Sequence, residues 1–299
     1  MQQIPELLKS LLQQQYGHAQ TERILEGYSR QRPVTLRVNT LKADTAAVQA
    51  ELRNAGIAYT AVPWDEHALI IQEAREAELR RLAIYEQGHI YLQSLSSMLP
   101  PLLLQPQEKE SILDMAAAPG GKTTQMAALT HNRAQITACE KNKIRAERLA
   151  YNVEKQGAKG IYIMQTDASR LDALFSFDRI LLDAPCSGSG TIASNQPKIS
   201  FSAELLARSV KAQKALLHKA LQILKPGGEL VYSTCSILKQ ENEEMIEQVL
   251  KEKRAELLPI EETWTKALPQ LPTTLPGTLC LCPDALYEGF FVARLKRKK

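Results

Sequence analysis

Two cysteines of this 299-residue chain stand in surroundings that favour a reactive thiol. Cys186 lies in Asp183-Ala-Pro-Cys-Ser-Gly-Ser-Gly190, and Cys235 lies in Ser233-Thr-Cys-Ser236. A thiolate is a strong nucleophile, and small neighbours leave it accessible to a substrate. A single cysteine is more often a core residue than a catalyst, but two in this setting predict a nucleophile and a second thiol that assists it. The spacing of the motifs does not decide which thiol attacks.

The other three cysteines are expected to be structural. Cys139 lies inside a predicted strand, while Cys280 and Cys282 border a proline-rich stretch, residues 268–277, that we predict to be a loop. An odd count of five with wide spacing argues against a disulfide framework. No metal site is predicted, because the chain has no Cys-x-x-Cys pair and no histidine close to Cys280 and Cys282.

A second group of candidate residues combines a glycine loop with acids. Ala116-Ala-Ala-Pro-Gly-Gly-Lys122 follows a strand-like run, and Glu140 comes nineteen residues after Gly121. Small residues let the backbone approach a ligand closely before a helix begins, and an acid at this spacing suits a ribose diol. Asp167 and Asp183 follow the next two predicted strands. The group predicts a site for a nucleotide-containing cofactor, and the alternative is a tight turn without a ligand.

Two other nucleotide-binding motifs are not matched at this loop. A P-loop requires Gly-x-x-x-x-Gly-Lys-[Ser/Thr], and Gly121-Lys122-Thr123 fits its end, but Ala116 occupies the position of the first glycine. The dinucleotide motif Gly-x-Gly-x-x-Gly is represented only by the adjacent pair Gly120-Gly121. Neither motif therefore describes the site.

The candidate residues can form one site only if the fold brings them to the same edge of a sheet. From about residue 89, short apolar runs alternate with helical stretches, which predicts right-handed crossovers and a mainly parallel sheet. Ligands bind beyond the carboxyl ends of such strands, where the cysteine motifs and the acids lie. The predicted strands are 111–115, 134–139, 160–164, 177–182, 229–233 and 289–294, and the predicted helices are 122–129, 143–156 and 203–224, the last ending at Lys225-Pro-Gly-Gly228.

The first part of the chain predicts a separate small α+β module. Its predicted elements are a helix over residues 1–28, a strand at 34–38, a helix at 43–54 closed by Gly56, and strands at 57–62 and 68–71. The change of pattern predicts two domains, residues 1–88 and 89–299. A chain of this length has room for two.

Composition excludes several classes of protein. Apolar residues make up 44% and charged residues 23%, as in soluble globular proteins. No apolar run approaches the ~18–20 residues of a membrane helix, and the N-terminus lacks the pattern of a secretory signal, so we expect a cytoplasmic protein with no membrane partner. The net charge of +4, with basic clusters at Lys296–Lys299 and at Arg30, Arg32 and Arg37, is a weak indication of an anionic partner.

The motifs taken together resemble those of the Sun/RsmB-type (NSUN) RNA cytosine-5 methyltransferases. The joint occurrence of the two cysteine motifs, the second preceded by Tyr232, is the most specific feature. The resemblance covers essentially the whole chain. It extends to residues 116–123, Arg37-Val-Asn-Thr-Leu-Lys42, Tyr91-Leu-Gln-Ser-Leu-Ser-Ser97, Gln240-Glu-Asn-Glu-Glu244 and Glu288-Gly-Phe-Phe-Val-Ala293.

The resemblance implies a fold, a cofactor and a partner. The implied fold is α/β, a Rossmann-like class I methyltransferase with a mainly parallel seven-stranded sheet and an antiparallel last strand, preceded by a small α+β (RRM-like) RNA-binding module. The implied cofactor is S-adenosylmethionine, and the implied partner is RNA, either rRNA or tRNA. No obligate protein partner is evident, so we expect a monomer.

The resemblance also implies a role for each site residue. Carbon 5 of cytosine is a poor nucleophile until a thiolate adds to carbon 6. Cys235 would make that attack, Cys186 would assist release, Asp183 would serve ring nitrogen 3, and Lys122 would lie near the acids. The implied cofactor-binding residues are Ala116, Ala117, Ala118, Pro119, Gly120, Gly121, Lys122, Glu140, Asp167 and Asp183, and the implied RNA-contacting residues are Arg37, Asn39 and Lys42.

Three positions depart from the family pattern. Ala116 stands where the family often has cysteine, so that side chain is not essential here. The stretch Ile192-Ala-Ser-Asn-Gln-Pro-Lys198 replaces the usual arginines and Pro-Asp, and Pro283-Asp284 replaces a Pro-His pair. The last two departures fall where RNA would be contacted, so they bear on the identity of the target more than on the chemistry.

Two alternatives remain beside this reading. A DNA cytosine-5 methyltransferase would use the cysteine of a Pro-Cys motif, here Cys186, which leaves Cys235 without a task. A non-catalytic RNA-binding or assembly factor would retain the cofactor site, but both motif cysteines are present. Amino-directed methyltransferases are disfavoured, because Asp183-Ala-Pro-Cys186 replaces their Asn/Asp-Pro-Pro-Tyr motif.

Overall fold

A computed structural model describes residues 4–192 and 201–298 of the chain. Its contacts divide the chain into two compact units. The cysteine unit comprises Met1–Arg32, Asp172–Ser176 and Leu182–Lys299, and the glycine-loop unit comprises Pro33–Leu171 and Phe177–Leu181. The predicted domain boundary between residues 88 and 89 stays a prediction.

The cysteine unit begins with one long helix. Helix α1 spans Glu6–Ser29 and has a kink at Gly17, where φ is 73°. Its buried positions include Leu8, Leu12 and Ile24, and they repeat at helical spacing along one face. This confirms the helix predicted for residues 1–28 from Glu6 onward, while Ile4 and Pro5 precede it and Gly17 interrupts it.

The glycine-loop unit begins with a four-stranded antiparallel sheet, whose strand order is β2-β3-β1-β4. Leu36, Leu52, Leu69 and Ile71 are fully buried between the sheet and its helix, and each such side chain stabilises the fold by roughly 1.5–3 kcal/mol. Gly56 has a φ of 70° just after that helix, as predicted for its cap. The elements are β1 (Thr35–Val38), α2 (Thr45–Asn54), β2 (Tyr59–Val62), β3 (Asp65–Ile71), α3 (Glu76–Leu79), α4 (Ala83–Glu86) and β4 (Ile90–Leu92).

The rest of the glycine-loop unit is a parallel sheet with the strand order β8-β5-β6-β7. Its predicted strands and helices are confirmed within a residue or two, whereas α5 was not predicted. Strand β8 ends in the cysteine unit with Leu182 and Asp183. The elements are α5 (Leu95–Leu104), β5 (Ser111–Asp114), α6 (Gly121–Leu129), β6 (Gln135–Cys139), α7 (Lys143–Lys155), β7 (Ile161–Met164), a 3₁₀ turn (Ala168–Arg170) and β8 (Phe177–Asp183).

The remainder of the cysteine unit is built around an antiparallel last strand. Strand β12 lies between β9 and β10 and also pairs with β11, and all three pairings are antiparallel. The long predicted helix ends as expected, but extended backbone begins at Leu224 instead of Glu229, because Pro226 does not continue a helix and suits an extended strand end. The elements are α8 (Ala203–Ile223), β9 (Leu224–Thr234), α9 (Glu243–Lys251), β10 (Ala255–Leu258), α10 (Glu262–Ala267), β11 (Leu279–Leu281) and β12 (Phe290–Arg297).

Among residues 4–192 and 201–298, we find no helix with the length and apolar character needed to span a membrane.

The glycine-loop unit contains a glycine that cannot be replaced without a backbone clash. Gly88 and Gly56 both have positive φ, 73° and 70°. A Cβ atom at Gly88 would lie 2.1 Å from Lys155 O, whereas nothing lies within 4 Å of one at Gly56. We expect Gly88→Ala to lower the free energy of unfolding by about 1–3 kcal/mol more than Gly56→Ala, which carries the backbone cost alone. Chemical denaturation of both variants measures the difference, and equal losses would contradict the close approach.

Candidate active site

The two motif cysteines lie side by side in the cysteine unit. Cys186 follows β8, Cys235 follows β9, and their Sγ atoms are 2.9 Å apart. Ala184 N donates to Ser233 O at 2.8 Å, and Gly190 N donates to Cys235 O at 2.9 Å. These backbone bonds hold the two segments together. Both thiols are unbridged, and both residues are half-buried.

Two serine side chains and two glycines stabilise the segments that carry Cys186 and Cys235. The hydroxyls of Ser189 and Ser236 are 2.8 Å apart, and Ile237 N donates to Ser189 Oγ at 3.0 Å. A Cβ atom at Gly190 would lie 2.0 Å from Gly289 O, so only glycine fits there. The small residues that flank the cysteines therefore serve close packing of backbone as well as access to the thiols.

Glu241 anchors the segment that carries Cys186. Its carboxylate is fully buried and accepts hydrogen bonds from Ser187 N (2.7 Å), Ser187 Oγ (2.5 Å) and Gln213 Nε2 (3.3 Å). Tyr232 Oη donates to its backbone oxygen at 2.6 Å. Glu241 was not predicted as a site residue, because a carboxylate in a run of polar residues is normally solvated. The only signal in the sequence is the resemblance of Gln240–Glu244 to a family segment.

The environment of Cys186 keeps its thiol protonated. The hydrogen bond with Cys235 raises the pKa of Cys186 well above its usual value, and burial and the charge of Glu241 raise it further. A protonated Cys186 can donate its S–H to Cys235 across the 2.9 Å contact.

Asp183 is fixed at the end of β8. Ser233 Oγ donates to Asp183 Oδ1 at 2.7 Å, and Ser233 lies two residues before Cys235 on the neighbouring strand. The two predicted catalytic motifs are therefore joined by a side-chain bond as well as by the thiol contact. This arrangement holds a carboxyl group and two thiols at the ends of β8 and β9.

The glycine loop of the other unit is held by its own backbone contacts. Ala117 N donates to Cys139 O at 2.9 Å, and Gly120, with a φ of 108°, forms the start of α6. Arg145 donates to Ala118 O at 2.9 Å, and Asn152 donates to Pro119 O at 2.8 Å. The loop is thus a fixed turn that ends at a helix N-terminus, and backbone amides at such an end suit a polar or negatively charged ligand group.

Two acids lie at the ends of neighbouring strands in the same unit. Glu140 follows β6, is almost fully buried, and accepts from Asn142 N at 2.8 Å while Arg145 Nε lies 3.4 Å away. Asp167 follows β7. Burial acts to raise its pKa, but hydrogen bonds from the Ser169 hydroxyl and amide outweigh this, so the pKa is lowered and the group stays ionised. Two fixed carboxylates beside a glycine loop fit the hydroxyl and amino groups of a nucleoside.

Lys122 lies in the first turn of α6 and donates from Nζ to Ser97 Oγ at 3.2 Å. Ser97 belongs to α5, in the Tyr91–Ser97 stretch that the resemblance singled out. The predicted role of Lys122 beside the acids stays a prediction.

The three residues predicted to contact RNA make internal bonds. Arg37 is 3% exposed and donates to Thr124 Oγ1 at 3.2 Å, and burial lowers its pKa to about 10. Asn39 is buried and donates to the backbone oxygens of Gly88 and Gln156, at 2.8 and 2.7 Å. Lys42 is exposed, and its Nζ donates to Gln87 O and Lys155 O at 2.9 and 2.8 Å. These contacts join the antiparallel sheet to the rest of the glycine-loop unit, and their contact with RNA stays a prediction.

The remaining cysteines are buried, as expected. Burial raises the pKa of Cys139 to about 12 and that of Cys282 to about 11, and it raises the pKa of Cys280 further still. Cys139 lies in β6 and Cys280 lies in β11. In the described part of the chain no group of three or more His, Cys, Asp and Glu side chains is arranged to hold a metal ion.

The departures from the family pattern are only partly described. Asp284 Oδ1 accepts from Leu286 N and Tyr287 N, both at 2.7 Å, so this side chain shapes a turn. Ala116 is half-buried at the start of the glycine loop. In the stretch 192–198, residues 193–198 lie outside the described residues.

Comparison with protein families gives two matches that cover most of the chain. Residues 101–296 match the model of the family described as 16S rRNA methyltransferase RsmB/F. Residues 4–78 match the ferredoxin-like domain described for RsmF/B-like methyltransferases. The chain belongs to this family. The resemblance drawn from the two cysteine motifs is confirmed.

Individual relatives agree with the family match. The chain is 36% identical over 277 residues to a ribosomal RNA small subunit methyltransferase F from Shewanella amazonensis. The aligned region covers 88% of this chain and 58% of that protein. The chain is 34% identical over 306 residues to a 28S rRNA (cytosine-C(5))-methyltransferase from Mus musculus, covering 98% of this chain and 38% of that protein. The chain thus spans less than two thirds of the length of these relatives.

A solved structure supports the fold. A methyltransferase homologue from Pyrococcus horikoshii superposes with a TM-score of 0.86 at 32% identity, over 99% of this chain and 96% of that one. The predicted fold class is confirmed: a Rossmann-like class I methyltransferase with an N-terminal ferredoxin-like domain. The antiparallel last strand is β12.

The thiol pair leads to a prediction about pH. Because the bond to Cys235 is the largest cause of the raised pKa of Cys186, we expect Cys235→Ala to lower that pKa. The thiolate of Cys186 should then form at lower pH, and alkylation of Cys186 by iodoacetamide, followed by peptide mass spectrometry, should shift to lower pH. Cys282→Ala is the control, since that buried thiol donates to Pro283 O instead. An unchanged profile in Cys235→Ala would contradict the thiol contact as the main cause of the raised pKa of Cys186.

Proposed function

We propose that the chain is an S-adenosylmethionine-dependent RNA methyltransferase that methylates carbon 5 of a cytosine through a covalent adduct with Cys235. The observation that carries the proposal is the 2.9 Å contact between the two thiols, which raises the pKa of Cys186. Membership of a family described by rRNA methylation supports the same conclusion.

The thiols supply the covalent part of the reaction. The Cys235 thiolate adds to carbon 6 of the cytosine, and the displaced electron pair makes carbon 5 nucleophilic. S-adenosylmethionine, when bound, supplies the methyl group that carbon 5 receives. Water then accepts the proton from carbon 5, and the electron pair of that C–H bond restores the ring double bond as the bond between carbon 6 and sulfur breaks. Cys235 leaves as a thiolate, which the Cys186 S–H group stabilises by its hydrogen bond.

The carboxyl group of Asp183 serves ring nitrogen 3. Negative charge develops there when the thiolate adds to carbon 6, and a proton donor at that atom lowers the barrier to addition. Ser233 positions Asp183 through its 2.7 Å hydrogen bond. In this proposal Lys122 is a further cation near the acids of the site.

Residues of the glycine-loop unit would hold the cofactor. Glu140 and Asp167 suit the ribose hydroxyls and the amino group of adenine, since both are fixed carboxylates at strand ends. The glycine loop allows close approach of the ligand to backbone. The full proposed set is Ala116, Ala117, Ala118, Pro119, Gly120, Gly121, Lys122, Glu140, Asp167 and Asp183.

The proposed substrate is ribosomal RNA, with transfer RNA as the second possibility. Attack on carbon 6 requires an unstacked base, so the target cytosine lies in a loop, a junction or a flipped-out position. We further propose that the protein acts in the cytoplasm as a monomer. The DNA-directed alternative would make Cys186 the nucleophile, whereas its raised pKa disfavours a thiolate at that position.

Variants of the two thiols test the mechanism. We expect Cys235→Ala to abolish methylation, measured by bisulfite sequencing of a 16S rRNA transcript, while binding of S-adenosylmethionine survives. We expect Cys186→Ala to accumulate a covalent protein–RNA adduct on a denaturing gel, because the leaving thiolate loses its hydrogen bond.

The double variant Cys186→Ala/Cys235→Ala is the matched control and should give no adduct. An adduct in Cys235→Ala instead would reverse the two roles. Full methylation by Cys235→Ala would refute the proposed nucleophile, and an adduct with DNA in place of RNA would favour the DNA-directed alternative.

Glu241 fixes the segment that carries Cys186, so we expect its substitution to slow release of the methylated RNA. Glu241→Gln removes the charge and one acceptor from the Ser187 contacts, so Cys186 is displaced and we expect a partial version of the Cys186→Ala adduct. Glu243→Gln is the control, because Glu243 is equally buried and, within the described part of the chain, takes no part in the hydrogen bonds of the Cys186 segment. The adduct fraction and the melting temperature are measured together. Equal adduct in the two variants would mean a general loss of structure.

A further inference from the structure

The glycine-loop unit has a cavity of about 240 Å³ that the proposed chemistry does not use. Residues of α3–α4, β4 and α7 line it, together with Pro119 of the glycine loop. None of the proposed catalytic residues is in its wall, and neither Glu140 nor Asp167 is. The cavity is smaller than the ~300–1,000 Å³ of sites for drug-sized ligands, so it suits one ring-sized group.

Aromatic rings and cations face each other in this wall. Lys155 Nζ lies 3.7 Å from the centre of the Tyr85 ring, and the Arg80 guanidinium lies 5.1 Å from the same ring. Arg80 also donates to the hydroxyl of Tyr85 and pairs with Glu76. Tyr91 contributes a second, half-buried ring. Flat rings beside cations are the combination that binds unpaired nucleotides by stacking and phosphate contact.

Three cations lie close together at the cavity: Lys155 and Arg80 in its wall, and Lys42 nearby. Burial lowers the pKa of Lys155, and the nearby positive charges of Arg80 and Lys42 lower it further, whereas Glu86 opposes them. Glu86 is exposed, so solvent screens its charge. An anionic group in the cavity would relieve the repulsion among the three cations.

The wall also offers an amide for hydrogen bonding. Gln156 is 2% exposed and donates from Nε2 to Ile90 O at 3.2 Å, while its side-chain oxygen has no hydrogen-bond partner among the described residues. A buried acceptor without a donor is costly, and a base amino group could satisfy it after a small rotation of the amide.

We propose that this cavity binds one unpaired nucleotide of the substrate RNA, away from the cytosine that is methylated. The base stacks on Tyr85 or Tyr91, and the adjoining phosphate is bound by Arg80 and Lys155. The inference rests on the proposed function for the identity of the ligand as RNA. Pro119 lies both in this wall and in the glycine loop, so an occupied cavity also buttresses the loop that would hold the cofactor.

Two substitutions test the cavity, each with a matched control. The test variants are Tyr85→Leu and Lys155→Gln. The controls are Tyr162→Leu, which removes a ring that is 66% exposed, and Lys159→Gln, which removes an exposed lysine. The probe is a 16S rRNA transcript, and its Kd is measured at several salt concentrations.

We expect Tyr85→Leu to raise the Kd about tenfold, as loss of one stacked base does. Lys155→Gln should reduce the slope of log Kd against log salt by about one unit, which corresponds to the loss of one phosphate contact. The controls should change neither quantity. Ultraviolet cross-linking of the wild-type protein should yield a nucleotide adduct on the peptide that carries Tyr85 or Tyr91.

The outcomes separate the cavity from the chemistry. RNA affinity and cross-links unchanged in the test variants overturn the cavity proposal, while methylation by the wild type leaves the proposed function intact. Weakened RNA binding with no methylation by the wild type supports the cavity and refutes the function. If Lys155→Gln weakens S-adenosylmethionine binding and leaves RNA affinity unchanged, the cavity serves the cofactor and the proposal is wrong. If Tyr85→Leu fails to fold, the salt dependence of the Kd of Lys155→Gln tests the cavity proposal by itself.

Discussion

The chemistry proposed for this protein depends on one buried carboxylate. Glu241 accepts three hydrogen bonds, two of them from Ser187, and so fixes the residue next to Cys186. A buried carboxylate without such donors would cost several kcal/mol, roughly the stability of a marginal domain. The donors stabilise the charge, and the charge in turn raises the pKa of Cys186. The same contact therefore positions one thiol and keeps it protonated as the partner of Cys235.

The glycine-loop unit uses buried polar groups in the same way. Arg37 joins β1 to the first turns of α6 through Thr124 and Gly121 O, and Asn39 joins the small sheet to the end of α7. These buried side chains hold the strands and helices of the unit together. RNA contact is proposed instead at the cavity, where Arg80 and Lys155 lie beside aromatic rings.

Much of the fold followed from local patterns. The strands that lead to Asp114, Cys139 and Asp183 are short apolar runs, and their burial on both faces of a parallel sheet produces that signal. Elements without a strong pattern were not predicted. Helix α5 contains Pro100 and Pro101, which argue against a helix, and β11 has only three residues. Burial within the unit outweighs weak propensity in both.

The sequence by itself determined the chemical groups and the strand ends that carry them: two thiols, three acids and a glycine loop. Motif spacing is local and fixes where a side chain leaves the backbone. Only the tertiary structure decided that the sulfurs of Cys186 and Cys235 lie 2.9 Å apart, that the pKa of Cys186 is raised, and that Glu241 is buried against Ser187. Those facts depend on contacts between residues about fifty positions apart in the chain, and such contacts arise only when β8 and β9 are brought together by folding.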